Sequence, residues 1–177
     1  MTPEEWLEIT GGDAAGSAFE LVTVDVSAES WVAVATRLRD GPRSDCDFFD
    51  WLSAYDDGGA GLAVVARVWS VAKRHGVVVR THVVRDGGSL PTLTGIWPGA
   101  GWHERETHEM FGIDFAGHGD LRTLLLPDGF DGNPLRKEFV LASRVAKEWP
   151  GAKEPGESTP GRKRPLGVPG PGEWGSS

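Results

Sequence analysis

The chain has 177 residues, with 26 acidic against 18 basic side chains and a formal net charge of -8; this length suits one domain with a real core and a small appendage. The acidic surplus argues against nucleic acid and anionic lipid as partners, since both are held by clustered Lys and Arg. A single cysteine, Cys46, supplies neither the four ligands of an iron–sulfur cluster nor the pair for a disulfide, so a reducing compartment is expected and Cys46 reads as a half-buried hydrophobe.

Residues 1–5 read MTPEE, which is not the basic and apolar opening of a signal peptide. Residues 19–26 (FELVTVDV) alternate and are β-branched, predicting a strand, whereas GGDAAG at 11–16 reads as a turn. Ser27 or Ser30 offers a cap for a helix that puts Trp31, Val34, Ala35 and Leu38 on one face and stops at Asp40, Gly41 and Pro42. Phe48, Phe49, Trp51 and Leu52 follow without an assigned element, and DDGGAG at 56–61 is a turn.

The Val-rich runs 62–71 and 76–85, linked by Lys73, Arg74 and His75, predict an antiparallel hairpin. The longest apolar stretch, 62–72, is broken by Arg67 and is shorter than the roughly 20 residues that span a bilayer. Pro98 at a first helical position and Gly112 just past the end predict a helix over 98–111. From 113 to 141, Gly117, Gly119, Pro127, Gly129, Gly132 and Pro134 leave only turns and short extended pieces. In the last 28 residues 13 are Gly or Pro, too many to bury a core, so a disordered tail is expected, with Arg162, Lys163 and Arg164 as a solvated charge run.

The expected fold class is α+β: a small, mostly antiparallel sheet packed with helices, then a helix and an extended, turn-rich C-terminal arm. The expected domains are 1–95 (α+β), 96–145 (helix and partner-binding arm) and 146–177 (Gly/Pro-rich tail).

The densest polar cluster is WHERETHEMFG, residues 102–112. It suggests a zinc site, which needs two His one helical turn apart. His103 and His108 are five apart, which places them about 140° from one another around a helix. Glu104, Glu106 and Glu109 raise the alternative of an acid–base pair, but Arg105 and Glu109, spaced i, i+4, read as an ordinary surface ion pair of a few tenths of a kcal/mol. Gly99, Ala100 and Gly101 begin a dinucleotide fingerprint that Glu104 breaks. What stands out over 97–141 is Trp, Phe, Leu, Arg and His among turns, a composition that interfaces favour. The choice lies between a second core closed on itself and an arm laid on a partner, and the unladdered backbone favours the arm.

The run ERETHEMFGIDFAGHGDLRTLL, residues 104–125, resembles the signature of the C-subunit family of respiratory NADH-quinone oxidoreductase (complex I). Glu109 fills its acid position, Met110 and Phe111 its apolar pair, His118 its His, Arg122 its basic position, and Leu124 and Leu125 its end. LPDGFDGNPLRKEFVL, residues 126–141, resembles the stretch that follows in the family, and WPGAKEPGE at 149–157 resembles actinobacterial members. Five positions depart from the pattern: Gly119 and Val140 replace a usual Pro, Thr123 an Arg, Asn133 a His, and His108 a common aromatic.

The resemblance implies that Trp102, Glu104, Arg105, Glu106, Glu109, Met110, Phe111 and Gly112 on the helix form the signature and partner surface. His118, Leu121, Arg122, Pro134, Leu135, Arg136 and Lys137 continue it along the arm. It further implies a scaffold subunit of the hydrophilic arm, on the cytoplasmic face of the cell membrane. Such a subunit packs beside the quinone-site subunit and adjacent iron–sulfur subunits and holds no cofactor or metal of its own. FMN, iron–sulfur clusters and quinone sit in its partners, and the whole complex passes electrons from NADH to quinone while translocating protons. The competing readings are the equivalent scaffold of a membrane-bound hydrogenase or related dehydrogenase, a zinc hydrolase using His103, Glu104 and His108, and a free-standing binding module.

Overall fold

The computed structural model describes residues 1–19 and 21–140; the expected disordered tail and its basic trio lie outside them. Thr2 opens the first helix, α1 (Pro3–Thr10), with a reciprocal cap: its hydroxyl accepts from the Glu5 N–H at 3.3 Å, and the Glu5 carboxylate accepts from the Thr2 N–H at 2.7 Å. Gly11, at φ 63°, closes it. Neither this helix nor the strand after it was expected, because eight residues with few apolar positions leave little periodicity to read. The GGDAAG turn is only half a turn: β1 (Ala14–Ala18) begins inside it and pairs antiparallel with β2 (Leu21–Asp25). The expected strand at 19–26 therefore starts later, after Phe19 has turned the corner at φ 51°.

A 3-10 turn over Ala28–Ser30, capped by Ser27, leads into α2 (Trp31–Asp40), which buries Trp31, Val34, Ala35 and Leu38 as the spacing predicts. β3 (Phe48–Asp56), β4 (Leu62–Ser70) and β5 (His75–Val83) form an antiparallel meander. β5 then pairs parallel with β2, giving one mixed sheet in the order β1-β2-β5-β4-β3. One face packs on the helices: Val22, Val24, Val64, Ala66, Val68, Val77 and Val79 meet Trp6, Trp31, Val34 and Leu38. Full burial of each large apolar side chain contributes about 1.5–3 kcal/mol. The other face carries cross-strand ion pairs, Arg67 with Asp50 at 2.6 Å and Arg80 with Asp25 at 2.5 Å.

β6 (Ser89–Pro91) and β7 (Asp114–Ala116) pair in parallel, so the helix between them, α3 (Ala100–Phe111), is a crossover. It begins at Ala100 rather than at Pro98, with Gly99 as its cap. Leu90, Leu93, Trp97, Ala100, Phe111, Ile113 and Phe115 join the same core as the sheet, and α3 packs against β3. Cys46 is fully buried there, not half-buried, and burial pushes its thiol up to about 12. Among the described residues no helix is long and apolar enough to cross a membrane.

Candidate functional site

α3 presents three of its charged residues, Glu104, Arg105 and Glu109, to its own chain. Glu104 is fully buried. One oxygen accepts from the Leu93 N–H at 2.6 Å and the other from the Thr92 hydroxyl at 2.5 Å. Burial pushes this carboxyl above its ordinary range, with the bonds from Leu93 and Thr92 opposing the shift. His118 Nε2 stands 3.9 Å from the same carboxylate and 3.2 Å from the Gly101 carbonyl. Because the Asp120 N–H donates to His118 Nδ1 at 3.0 Å, the neutral ring carries its proton on Nε2 and donates toward Gly101. Helix and arm are thereby pinned at the helix start.

Further along, Glu109 accepts from three successive backbone N–H groups: Leu124 and Leu125 at 2.8 Å and Leu126 at 3.3 Å. Arg105 donates to the carbonyls of Arg122 and Thr123, both at 2.9 Å. The Arg105–Glu109 surface pair expected from spacing is therefore not made. Glu109, being buried, gains more from backbone amides than a solvated ion pair would give, and the returning arm offers carbonyls that take Arg105 at a more exposed position. The Arg105 guanidinium lies 5.5 Å from the ring centre of Trp102, whose indole is 62% exposed.

The last turn of α3 would leave four carbonyls unpaired, and each finds a donor. His108 O accepts from Gly112 N at 2.7 Å. Glu109 O accepts from Asn133 Nδ2 at 3.0 Å, Met110 O from Leu135 N at 3.2 Å, and Phe111 O from Arg136 Nε at 2.6 Å. Arg136 also donates to the Arg85 carbonyl at 2.7 Å and to Asp86 at 3.0 Å. Asn133, a departure from the family pattern, still supplies a donor here. Side chains and caps thus take up backbone groups here that have no ladder. Gly112 sits beneath this knot at φ 70°, and a Cβ there would stand 2.7 Å from Asn133 Oδ1 and 2.9 Å from Arg136 Nη2. Gly112→Ala is expected to cost about 2 kcal/mol, the left-handed backbone alone contributing 1–2 kcal/mol. Thermal unfolding of the purified chain measures it.

A tie that local sequence reading missed closes the arm. Asp56, buried at the end of β3, takes Arg85 in a two-pronged pair at 2.6 Å for each oxygen and accepts from the Lys137 N–H at 2.9 Å. The Arg85 guanidinium, with the Lys137 and Gly58 N–H groups, holds this carboxyl well below the usual carboxylate range. Its partners stand 29 and 81 residues away, so no local signal could reveal them. A depressed folded pKa contributes stability that is whole above the unfolded value of about 4 and drains as pH falls below it. Acid titration of unfolding is expected to show a loss beginning near there, shallower in Asp56→Asn.

Of the remaining signature residues, Phe111 is buried, while Met110 and Leu121 are partly buried against the core. Pro134 is half-buried; Leu135 and Lys137 are exposed. Arg122 is exposed and pairs with Asp120 at 2.7 Å. Glu106 is half-exposed and makes no ion pair among the described residues. His103 packs edge-on against Phe49, whereas His108 Nδ1 lies 2.8 Å from the Ile113 carbonyl, so the two rings have different neighbours. Among the described residues no group of three or more His, Cys, Asp or Glu is placed to hold a metal ion. The chemistry of Glu104, Arg105, Glu109 and Arg136 here is fastening.

Fold and site define an α+β module in which a crossover helix is tied along its length to a returning arm. The same fold occurs in an archaeal respiratory membrane complex, the membrane-bound sulfane sulfur reductase, with a TM-score of 0.68 and 20% identity over 82% of this chain and 91% of that one. The trypsin-resistant fragment 1–134 of Nqo5 matches with a TM-score of 0.54 and 25% identity over 67% of this chain and 95% of the fragment. The family model for the respiratory-chain NADH dehydrogenase 30 Kd subunit matches residues 24–145, and the chain belongs to that family. The NADH-quinone oxidoreductase C-subunit of Chlorobium phaeobacteroides is 37% identical over 77% of this chain and 79% of its own. Its counterpart in Roseiflexus castenholzii is 40% identical over 69% and 71%.

Proposed function

We propose that this chain is a scaffold subunit in the peripheral arm of the NADH-quinone oxidoreductase, without a cofactor or catalytic group of its own. The reading rests on one observation: Glu104, Arg105, Glu109 and Arg136 are used inside the chain, fixing helix and arm as a single piece that turns Trp102, Leu125, Phe130 and Leu135 outward. Rigid exposed aromatic and apolar side chains backed by arginine are what partner surfaces use. Flavin, clusters and quinone belong to neighbouring subunits, chiefly the quinone-site subunit and the adjacent iron–sulfur subunits, on the cytoplasmic face of the membrane. A relative in Pseudomonas fluorescens lends support to such a neighbour: it is named as a C/D-subunit of the oxidoreductase, and the match, 36% identical, covers 21% of its length.

The test is native purification of the complex carrying Trp102→Ala with Leu125→Ala, with abundance and NADH-quinone activity measured together. The expected result is less assembled complex with unchanged activity per complex. Full abundance with lost activity would contradict a scaffold, and recovery with a hydrogenase large subunit but no NADH-oxidising module would contradict the host complex.

A further inference from the structure

Glu109 is 6% exposed, and its carboxylate meets backbone N–H groups: Oε2 accepts from Leu124 and Leu126, Oε1 from Leu125. A carboxylate offers about four acceptor sites, so one on Oε1 stays open. Among the described residues no Lys, Arg or His stands within ion-pair distance of it. The same residue lines a concavity of about 470 Å³ at the last turn of α3 and the arm. Every other polar side chain there also has an accepting atom to offer. Asn133 gives Nδ2 to the Glu109 carbonyl and keeps Oδ1 above Gly112, where a Cβ would stand 2.7 Å from it. His108 donates from Nδ1 to the Ile113 carbonyl at 2.8 Å, so its neutral ring keeps Nε2 as an acceptor. Asp131 adds a second carboxylate, exposed and without an ion pair among the described residues. Leu121, Leu126 and Phe130 supply the apolar walls, and no Lys or Arg lines the concavity. Arg105 and Arg136, the cations that tie α3 to the arm, are committed to carbonyls and to Asp86.

We propose that this concavity receives an arginine side chain of a neighbouring subunit, whose guanidinium bonds to Glu109, Asn133 and Asp131. The inference deepens the reading of the chain as a complex subunit and rests on it. Donor and acceptor chemistry selects the occupant. A guanidinium has five N–H donors and no acceptor, which matches a site built of acceptors, whereas a carboxylate or a carbonyl would set acceptor against acceptor. Glu109 and Asp131 supply the opposite charge, which strengthens each hydrogen bond, most of all at an oxygen already withdrawn from water. The apolar walls take the aliphatic stem, and Phe130 offers a ring face to the planar head. An ammonium has three donors and no plane to lay on that ring, so arginine fits better than lysine. A second copy is disfavoured as the donor, since each chain carries a net charge of -8.

The first measurement uses the unmodified protein. Carboxylates of the isolated chain and of the assembled complex are labelled with a water-soluble carbodiimide and an amine, and modification is read by mass spectrometry. Labelling of Asp131 is expected to slow about tenfold or more on assembly, because groups inside an interface lose their water. The second uses Thr123→Cys, which places a thiol in the lining of the concavity while Cys46 stays buried. A short thiol-directed photo-crosslinker is expected to join it, in the complex, to one segment of a different subunit with an arginine beside the joined position. Replacing that arginine by glutamate is expected to lower the amount of assembled complex about tenfold, since like charges then face one another. Unchanged labelling of Asp131, a joined segment without arginine, a link to a second copy or to residues 141–177, or full assembly of the glutamate variant would overturn the proposal. Each of these results leaves the assignment to the NADH-oxidising complex standing. Failure to recover the chain with any NADH-oxidising module would instead overturn the assignment.

Discussion

Arg136→Ala is expected to lower the stability of the isolated chain by about 3 kcal/mol, because hydrogen bonds from a charged group contribute about 1.5–3 kcal/mol each and are not additive. The side chain is only 13% exposed and ties the arm to two places: the end of α3 through Phe111 O, and the stretch after β5 through Arg85 O and Asp86. Its positive charge also sits at the negative end of the α3 dipole. The unfolding midpoint is expected to fall by roughly 10 °C for a domain of this size. Arg136→Lys is expected to recover less than half of the loss, because an ammonium keeps the charge but cannot aim a planar fork at two carbonyls. An unchanged midpoint in Arg136→Ala, together with loss of the assembled complex, would move the role of Arg136 from fastening the chain to touching a partner.

The second large effect is expected at Glu109. Glu109→Ala takes the acceptor from three consecutive N–H groups in a partly sheltered position, at a cost of about 3–4 kcal/mol. The damage is expected to concentrate in the arm. Amide exchange at Leu124, Leu125 and Leu126 should accelerate on the order of a hundredfold, since about 3 kcal/mol corresponds to two decades in an opening equilibrium. Limited proteolysis should then cut first between residues 113 and 135. Glu109→Gln retains an acceptor oxygen but turns an NH2 toward a backbone donor, so an intermediate effect is expected. Wild-type exchange at these three amides in Glu109→Ala would show that other groups hold the arm.

The Glu109 effect arises from a contact that spacing along α3 misdirects. Arg105 and Glu109 stand i, i+4, which on an isolated helix is an ion pair; in the folded chain each turns to the arm instead. Trp31, Val34, Ala35 and Leu38, by contrast, fall where their spacing places them, because an apolar stripe needs only a surface to bury itself against and not one particular residue. The hairpin of β4 and β5 was legible for the same reason, as two Val-rich runs beside a short polar link. β3 escaped notice since its bulge breaks the alternation at Phe49 and Trp51. β1 escaped since Ala, Gly and Ser carry almost no strand signal.

The sequence by itself determined the α+β class, the amphipathic second helix, the hairpin, the helix that Gly112 closes and, through the runs at 104–125 and 126–141, the family. These are properties of neighbours along the chain, where periodicity and punctuation act over a few residues. Only the tertiary structure decided that Glu104 would be buried beside His118, that Glu109 would hold three backbone amides, and that Arg136 and Asp56 would close the arm from distances of 25 to 81 residues. A backbone group accepts any donor that reaches it, so side-chain-to-backbone bonds leave no paired signature in the sequence; the fold chooses among them by bringing one within reach.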